Sequence, residues 1–213
     1  MKRADAQAAQ KFPELRTERL LLRQITPRDR AAIYEIFSDD ETLEHYDIDP
    51  IREKEEASEL IAFFADRERR GIGIRWAIAL SKPTIQVGAR GTRSKASEPK
   101  LIGTCGFNRF ERSEARRGVV GYDLSRSQWG HGYVPEAMEA VIRYGFEELH
   151  LNRIEAYVEP GNARSIRVME KLGFTREGLL RQFAFYRRAA RDQLCFSLLA
   201  AEWRRSHGSA HEN

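Results

Sequence analysis

Between a strand-like run, "RGVVGYDL" (117–124), and an apolar helix-forming run that starts near Pro135, the chain carries Gly130, His131 and Gly132. A strand that reaches a helix through closely spaced glycines has few ways to fold. The glycines can serve a tight turn, a close packing contact, or the approach of backbone N–H groups to an anion at the helix N-terminus. Pro135 suits all of these, because a first-turn N–H has no intrahelical acceptor to lose. The segment lacks the last glycine of G-x-G-x-x-G and has no GK[ST], so it is neither a dinucleotide fingerprint nor a P-loop.

The rest of the chain alternates strand and helix periods. Leu20, Leu21, Leu22 and Ile25 make a strand. Thr26 as N-cap and Pro27 at the first helical position then start a helix with Ala31, Ile33, Tyr34 and Phe37 on its apolar side. A loop, "DDETLEHYDIDP", precedes an amphipathic helix expected to turn Leu60, Ile61, Phe63 and Phe64 inward and to stop at Gly71. "GIRWAIAL" and "KLIGTCGF" read as strands. After the glycines, a helix over about 135–149 aligns Met138, Val141, Ile142, Gly145 and Leu149. Ile154, Ala156 and Val158 alternate in a strand, and Ile166, Met169 and Leu172 face inward from a helix that Gly173 ends. "LLRQFAFY" and "DQLCFSLLAAEW" close the chain as strands, giving the order β-α-α-β-β-β-α-β-α-β-β with no internal repeat or linker.

At 213 residues this is one well-cored domain, expected over 17–203, with a flexible lead-in at 1–16 and a tail at 204–213. No apolar run is long enough to span a membrane, and "MKRADAQAAQKF" lacks the apolar stretch of a secretory signal, so a cytoplasmic location is expected. Cys105 and Cys195 have no CxxC spacing and sit in apolar runs; they read as buried free thiols, with no disulfide and no metal site. The net charge of +4 is too modest to choose between an anionic ligand, an acidic protein surface and nucleic acid. The segment 81–100 holds five Lys/Arg against one Glu, and reads either as a mobile hairpin insertion or as a basic contact surface.

Taken together, "GYDLSRSQWGHGYVPEAM" and "YVEPGNARSIRVMEKLGF" resemble the two cofactor motifs of the GNAT acetyltransferase superfamily, most closely its RimJ/RimL-type protein N-acetyltransferase branch. The resemblance runs from "TERLLLR" to "LLAAEW". It implies an α/β (α+β) GNAT fold, a mixed and mostly antiparallel twisted sheet of about six to seven strands flanked by about four helices. It also implies acetyl-CoA as cofactor. The family's diphosphate loop falls on Trp129, Gly130, His131, Gly132, Tyr133 and Val134. Trp129 replaces the usual glutamine or arginine and Val134 the usual small residue, changes that backbone-held binding tolerates. His131 occupies a slot that usually faces solvent, so it reads as a surface side chain near phosphate rather than a base.

The same resemblance places a strand bulge near Tyr122, Asp123 and Leu124, whose backbone N–H groups would hold the thioester oxygen and the pantetheine arm. Asn162 matches the asparagine that contacts that arm. The tyrosine acid of many members is Met169 here, whereas Ser165 matches the serine acid of the RimJ/RimL branch; a first-turn helix serine is the alternative. Asp123, Glu44 and His45 are the candidates for the base, and Glu44 and His45 would border the acceptor.

Direct acetyl transfer to an amine needs no enzyme nucleophile, and an α-amine with a pKa near about 8 is partly neutral at cytoplasmic pH. The expected activity is acetylation of the α-amine of a ribosomal or other protein. A small amine (amino sugar, polyamine or peptide antibiotic) is the competitor, and a non-catalytic CoA- or nucleic-acid-binding protein a third reading. A homodimer is compatible with the resemblance; direct nucleic-acid binding is not expected.

Overall fold

A computed structural model describes residues 11–81, 99–111 and 113–207. Most of the 81–100 insertion, the start of the lead-in and the last residues of the tail lie outside that range.

The described strands are β1 (Leu15–Arg16), β2 (Leu20–Gln24), β3 (Ile74–Leu80), β4 (Leu101–Glu111), β5 (Arg117–Leu124), β6 (Arg153–Val158), β7 (Thr175–Tyr186) and β8 (Ala189–Leu199). The helices are α1 (Arg30–Phe37), α2 (Lys54–Arg69), α3 (Tyr133–Glu147), α4 (Ala163–Lys171) and α5 (Ala200–His207). The expected order is present, with one element added at each end. β1 is a two-residue strand pairing Leu15 with Leu22, which brings the sheet to eight strands. At the other end, "AAEW" is helix rather than strand. The Glu202 carboxylate accepts the Leu199 N–H at 3.0 Å and Asn152 accepts the Ala200 N–H at 3.0 Å, so the ladder ends there and α5 begins.

The sheet order is β1-β2-β3-β4-β5-β6-β8-β7, antiparallel except for the β5–β6 pair. Strand alternation divides the core between the two faces. Trp76, Ile78 and Phe107 pack with Met138, Ile142 and Met169 under α3 and α4, while Ala77 and Leu101 pack with Ile33, Phe37 and Ile61 under α1 and α2. Burying each large apolar side chain of this kind contributes roughly 1.5–3 kcal/mol. Two residues expected to face inward do not: Ala31 is exposed while its neighbour Ala32 is buried, and Phe63 is 52% exposed. Phe63 follows Ile61 by two residues, hence about 200° around the helix from the stripe that meets the sheet.

What positions the site is a short pairing. β5 and β6 join only through Arg117–Arg153, Gly118–Ile154 and Val119–Glu155. Beyond Val119 the two strands separate, and the sheet opens where β5 runs into the glycine segment.

Candidate active site

After Leu124 a single 3-10 turn (Arg126–Gln128) leads to Trp129–Gly132, and α3 begins at Tyr133. Gly130 and Gly132 have φ of 80° and 77°, the left-handed region, so conformation alone demands glycine at both. Among the described residues the N–H groups of Gly130, His131, Gly132, Tyr133 and Val134 find no backbone acceptor. A run of free amides at the positive end of a helix dipole is an anion cradle, and it fits a diphosphate.

Both departures from the family pattern have local reasons. The Trp129 indole N–H donates to the Leu124 carbonyl at 2.9 Å, tying the loop to the strand end, and the Arg164 guanidinium lies 4.1 Å from the ring centroid. Val134 sends its side chain into the core while its amide stays in the first turn. His131 is exposed, stacks on Tyr133 at 5.6 Å and contacts the Gln128 carbonyl at 3.3 Å; no acid–base partner among the described residues meets it. Its carbonyl accepts from Arg19 Nη1 at 2.9 Å, and Arg19 Nε meets Glu136 Oε2 at 2.6 Å, so the β1–β2 turn pins the loop to α3.

The opening between β5 and β6 is part of a cavity of about 910 Å³ that reaches both faces of the sheet. On the α3/α4 side it is walled by the glycine loop, Tyr122, Asn162 and Ser165. Asn162 is the N-cap of α4, its Oδ1 accepting the Ser165 N–H at 3.0 Å. Ser165 is therefore a first-turn serine that also faces the cavity, so both readings of it describe one geometry. Burial pushes the Tyr122 phenol up to about 12, with the Ser165 side chain acting against that. Met169 is fully buried beneath them.

Asp123, expected as a candidate base, is placed differently. Its side chain is 0% exposed; Oδ2 meets Arg75 Nη2 at 2.6 Å and Thr104 Oγ1 at 2.6 Å, and Oδ1 accepts the Thr104 N–H at 3.0 Å. Burial pushes this carboxyl up against the pull of Arg75 and Thr104. Alternation along β5 turns Asp123 to the α1/α2 face, away from Tyr122 and Leu124. The geometry is that of a buried ion pair, with neither oxygen exposed to take a substrate proton. The strand irregularity also lies elsewhere. Tyr122, Asp123 and Leu124 pair in register with Cys105, Thr104 and Gly103, and the register shift falls at Asn108, the extra residue on β4 between Phe107 and Arg109. The β5 amides facing the opening are free because β6 has left, not because β5 bulges.

On the α1/α2 side Glu44, His45 and Asp47 line the cavity. His45 Nδ1 lies 2.8 Å from Glu159 Oε2, and its Nε2 is 3.8 Å from Glu44 Oε2. Glu159 had not been singled out from sequence, although it stands just ahead of Asn162 in "VEPGN". Nothing local marks it, because its partner is 114 residues away. Two features of the β7–β8 hairpin complete this end. Arg187 Nη2 donates to the Leu43 carbonyl at 2.7 Å, joining the hairpin to the α1–α2 segment. A bulge between Leu180 and Ala184, with Gln182 at φ 53°, brings Phe183 to 4.9 Å from Tyr157 at the cavity mouth. Cys105 and Cys195 are both free and buried, and burial pushes the Cys105 thiol up, which suits packing rather than nucleophilic attack. No helix among the described residues is long and apolar enough to cross a membrane.

A sheet that opens beside a helix-capping amide cradle, with a cavity running from that cradle to a second mouth, defines an acyl-CoA-dependent acyltransferase. The acetyltransferase (GNAT) domain family matches residues 19–175, and the chain belongs to that family. It is 38% identical over 189 residues to "Uncharacterized N-acetyltransferase p20" of Bacillus licheniformis, covering 89% of this chain and 97% of that protein. It is 30% identical over 106 residues to the "[Ribosomal protein uS5]-alanine N-acetyltransferase" of Escherichia coli K12, covering 50% of this chain and 55% of that one. The fold is that of a GNAT-family acetyltransferase from Bacillus anthracis, with a TM-score of 0.73 at 24% identity over 89% of this chain and 100% of that one. The protein is an N-acetyltransferase of the GNAT type, and acetyl-CoA is its acetyl donor.

Proposed function

We propose that the protein acetylates the α-amine of a protein N-terminus. The observation that carries this reading is the His45–Glu159 pair, held at 2.8 Å on the opposite face of the opening from the amide cradle. An imidazole oriented by a carboxylate can act as a general base, and an α-amine of pKa about 8 is already partly neutral at pH 7, whereas a lysine or polyamine of pKa about 10.4 is not. In this assignment the amides of Gly130–Val134 hold the diphosphate, and the freed β5 edge at Tyr122–Leu124 and Asn162 take the pantetheine arm. Ser165 serves the departing sulfur, Glu159 orients His45, and Glu44 sits at the acceptor mouth. The uS5-type relative supports a ribosomal-protein acceptor.

A second reading has its own support. Phe63, Tyr157 and Phe183, with Glu41, Glu44 and Asp47, line the acceptor mouth. Aromatic faces and carboxylates together suit a small cationic amine. Acetyl-CoA consumption, measured against peptides of varied N-terminal residue and against a panel of small amines, separates the two. Turnover on peptides is the expected result, and turnover confined to small amines establishes the second reading. Turnover on neither set, despite tight CoA binding, would overturn both. Ser165→Ala is expected to lower kcat far more than acetyl-CoA affinity; an unchanged kcat removes Ser165 from the chemistry.

A further inference from the structure

Asn108 is the extra residue on β4, standing between Phe107 and Arg109 without a partner on β5. A bulge of this kind re-aims a side chain, and three neighbours fix where this one goes. The Asn108 carbonyl accepts from Arg67 Nε at 2.9 Å, and Oδ1 accepts from Arg75 Nη1 at 2.8 Å. A guanidinium only donates and an amide nitrogen has nothing to accept with, so the oxygen of the Asn108 amide faces the buried Arg75. The third neighbour is Gly121 on β5. It has no positive φ, and a Cβ there would lie 2.7 Å from Asn108 Nδ2 and 3.1 Å from Oδ1, so glycine is needed to make room for this amide. Arg75, Gly106 and Gly121 lie in line across β3, β4 and β5. With Oδ1 turned to Arg75, Nδ2 lies over Gly121, two residues past Val119, where β5 last pairs with β6. The residue is exposed and lines the cavity on the α1/α2 side, the side that carries His45. Among the described residues Nδ2 donates to nothing. Hydration alone requires neither two arginine clamps nor a glycine beneath.

Resting on the acceptor reading above, we propose that Asn108 Nδ2 donates to the first carbonyl oxygen of the acceptor and so selects α-aminoacyl amines. A peptide N-terminus holds that oxygen close to its amine, since only Cα and the carbonyl carbon intervene. An amine presented to His45 on the α1/α2 side brings its carbonyl to the rim of β5, where Nδ2 waits. Polyamines and amino sugars carry no carbonyl at that place. A donor already held in position loses little freedom on binding, and an acceptor without the oxygen leaves the amide unpaired. Asn108 touches the acceptor away from the reacting atoms, so it sets specificity and moves no proton.

The test is a cycle between two acceptors and three proteins. One acceptor is a peptide that wild type acetylates, and the other is its alkene isostere, with CH=CH in place of the first C(=O)–NH. Asn108→Asp keeps the shape and the acceptor for Arg75 but removes the donor, whereas Asn108→Ala removes the whole amide. With coenzyme A saturating, each acceptor is titrated into each protein by calorimetry, and kcat/KM is measured with acetyl-CoA. In both variants the preference for peptide over isostere should fall about 5- to 10-fold, in Kd and in kcat/KM. Coenzyme A affinity should match wild type, and so should the Tm of Asn108→Asp, because Arg75 keeps its partner. A preference unchanged in either variant overturns the role of Asn108, and a matching loss of coenzyme A affinity places the residue in the cofactor site instead. A wild type that acetylates only amines without an adjacent carbonyl overturns the acceptor reading, and this inference with it.

Discussion

Replacing Asp123 by Asn tests whether this carboxylate holds the sheet together or moves protons. The side chains of Arg75 and Asp123 are 4% and 0% exposed, with 2.6 Å between Nη2 and Oδ2. An asparagine amide is nearly isosteric and can still accept the Thr104 N–H. It leaves the Arg75 charge buried against neutral partners: Tyr46 at 2.9 Å, Asn108 at 2.8 Å, Thr104 at 2.7 Å and the Phe64 ring at 5.6 Å. Removing one partner of such a pair costs about 3–5 kcal/mol. For a chain of this size each kcal/mol shifts Tm by roughly 2–4 °C, so Asp123→Asn should melt about 6–20 °C below wild type. Measured well below both midpoints, kcat/KM should stay within about threefold of wild type, since a loss of stability alone leaves the folded molecules active. Joining Arg75→Met with Asp123→Leu should recover part of the lost Tm, because an apolar pair leaves no charge stranded. An Asp123→Asn protein that melts with wild type, yet loses about 100-fold in kcat along with the acid limb of its pH profile, would refute the structural assignment and restore Asp123 as the base.

Glu159→Gln and His45→Gln should each lower kcat by on the order of 100-fold with CoA affinity unchanged, read by steady-state kinetics and calorimetry; parallel losses of CoA binding would place the pair in the cofactor site instead. Gly132→Val should weaken acetyl-CoA binding by at least about 10-fold in calorimetry, because a β-branched residue resists the φ of 77° that starts α3 and the amide cradle shifts with it. Glu177 accepts from Arg153 at 2.8 and 2.6 Å and from Ser197 at 2.7 Å, and the Arg153 guanidinium leads in lowering its carboxyl to about 2. A depressed carboxyl pKa contributes stability that is complete above the unfolded value of about 4.5 and is lost as pH falls towards about 2. Glu177→Gln should therefore show a shallower fall in urea midpoint across that window, by a small amount because the side chain is 42% exposed.

The elements of this protein are written locally. Alternation in Ile154–Val158, the helical stripe Met138–Val141–Ile142–Gly145 and the left-handed stop at Gly173 depend on residues close in sequence, and the structure carries each. The glycine segment is equally local, since a strand, two positive-φ glycines and a helix N-terminus adjoin in the chain. Departures from this appear where long-range packing decides. Phe63 turned outward because α2 meets the sheet along Ala57 and Ile61, and Asp123 became half of an ion pair because β3 sets Arg75 beside it. Glu159 reaches His45 across the opening, and Tyr122 ends beside Ser165 only once α4 has docked on the sheet. The sequence by itself determined the order of the elements from β2 to β8 and the family, and it singled out the glycine segment proposed to hold the cofactor. The tertiary structure decided which side chains meet at the opening, because β5 and β6 stay paired through only three residues and then part, and what gathers in that gap comes from distant stretches of chain.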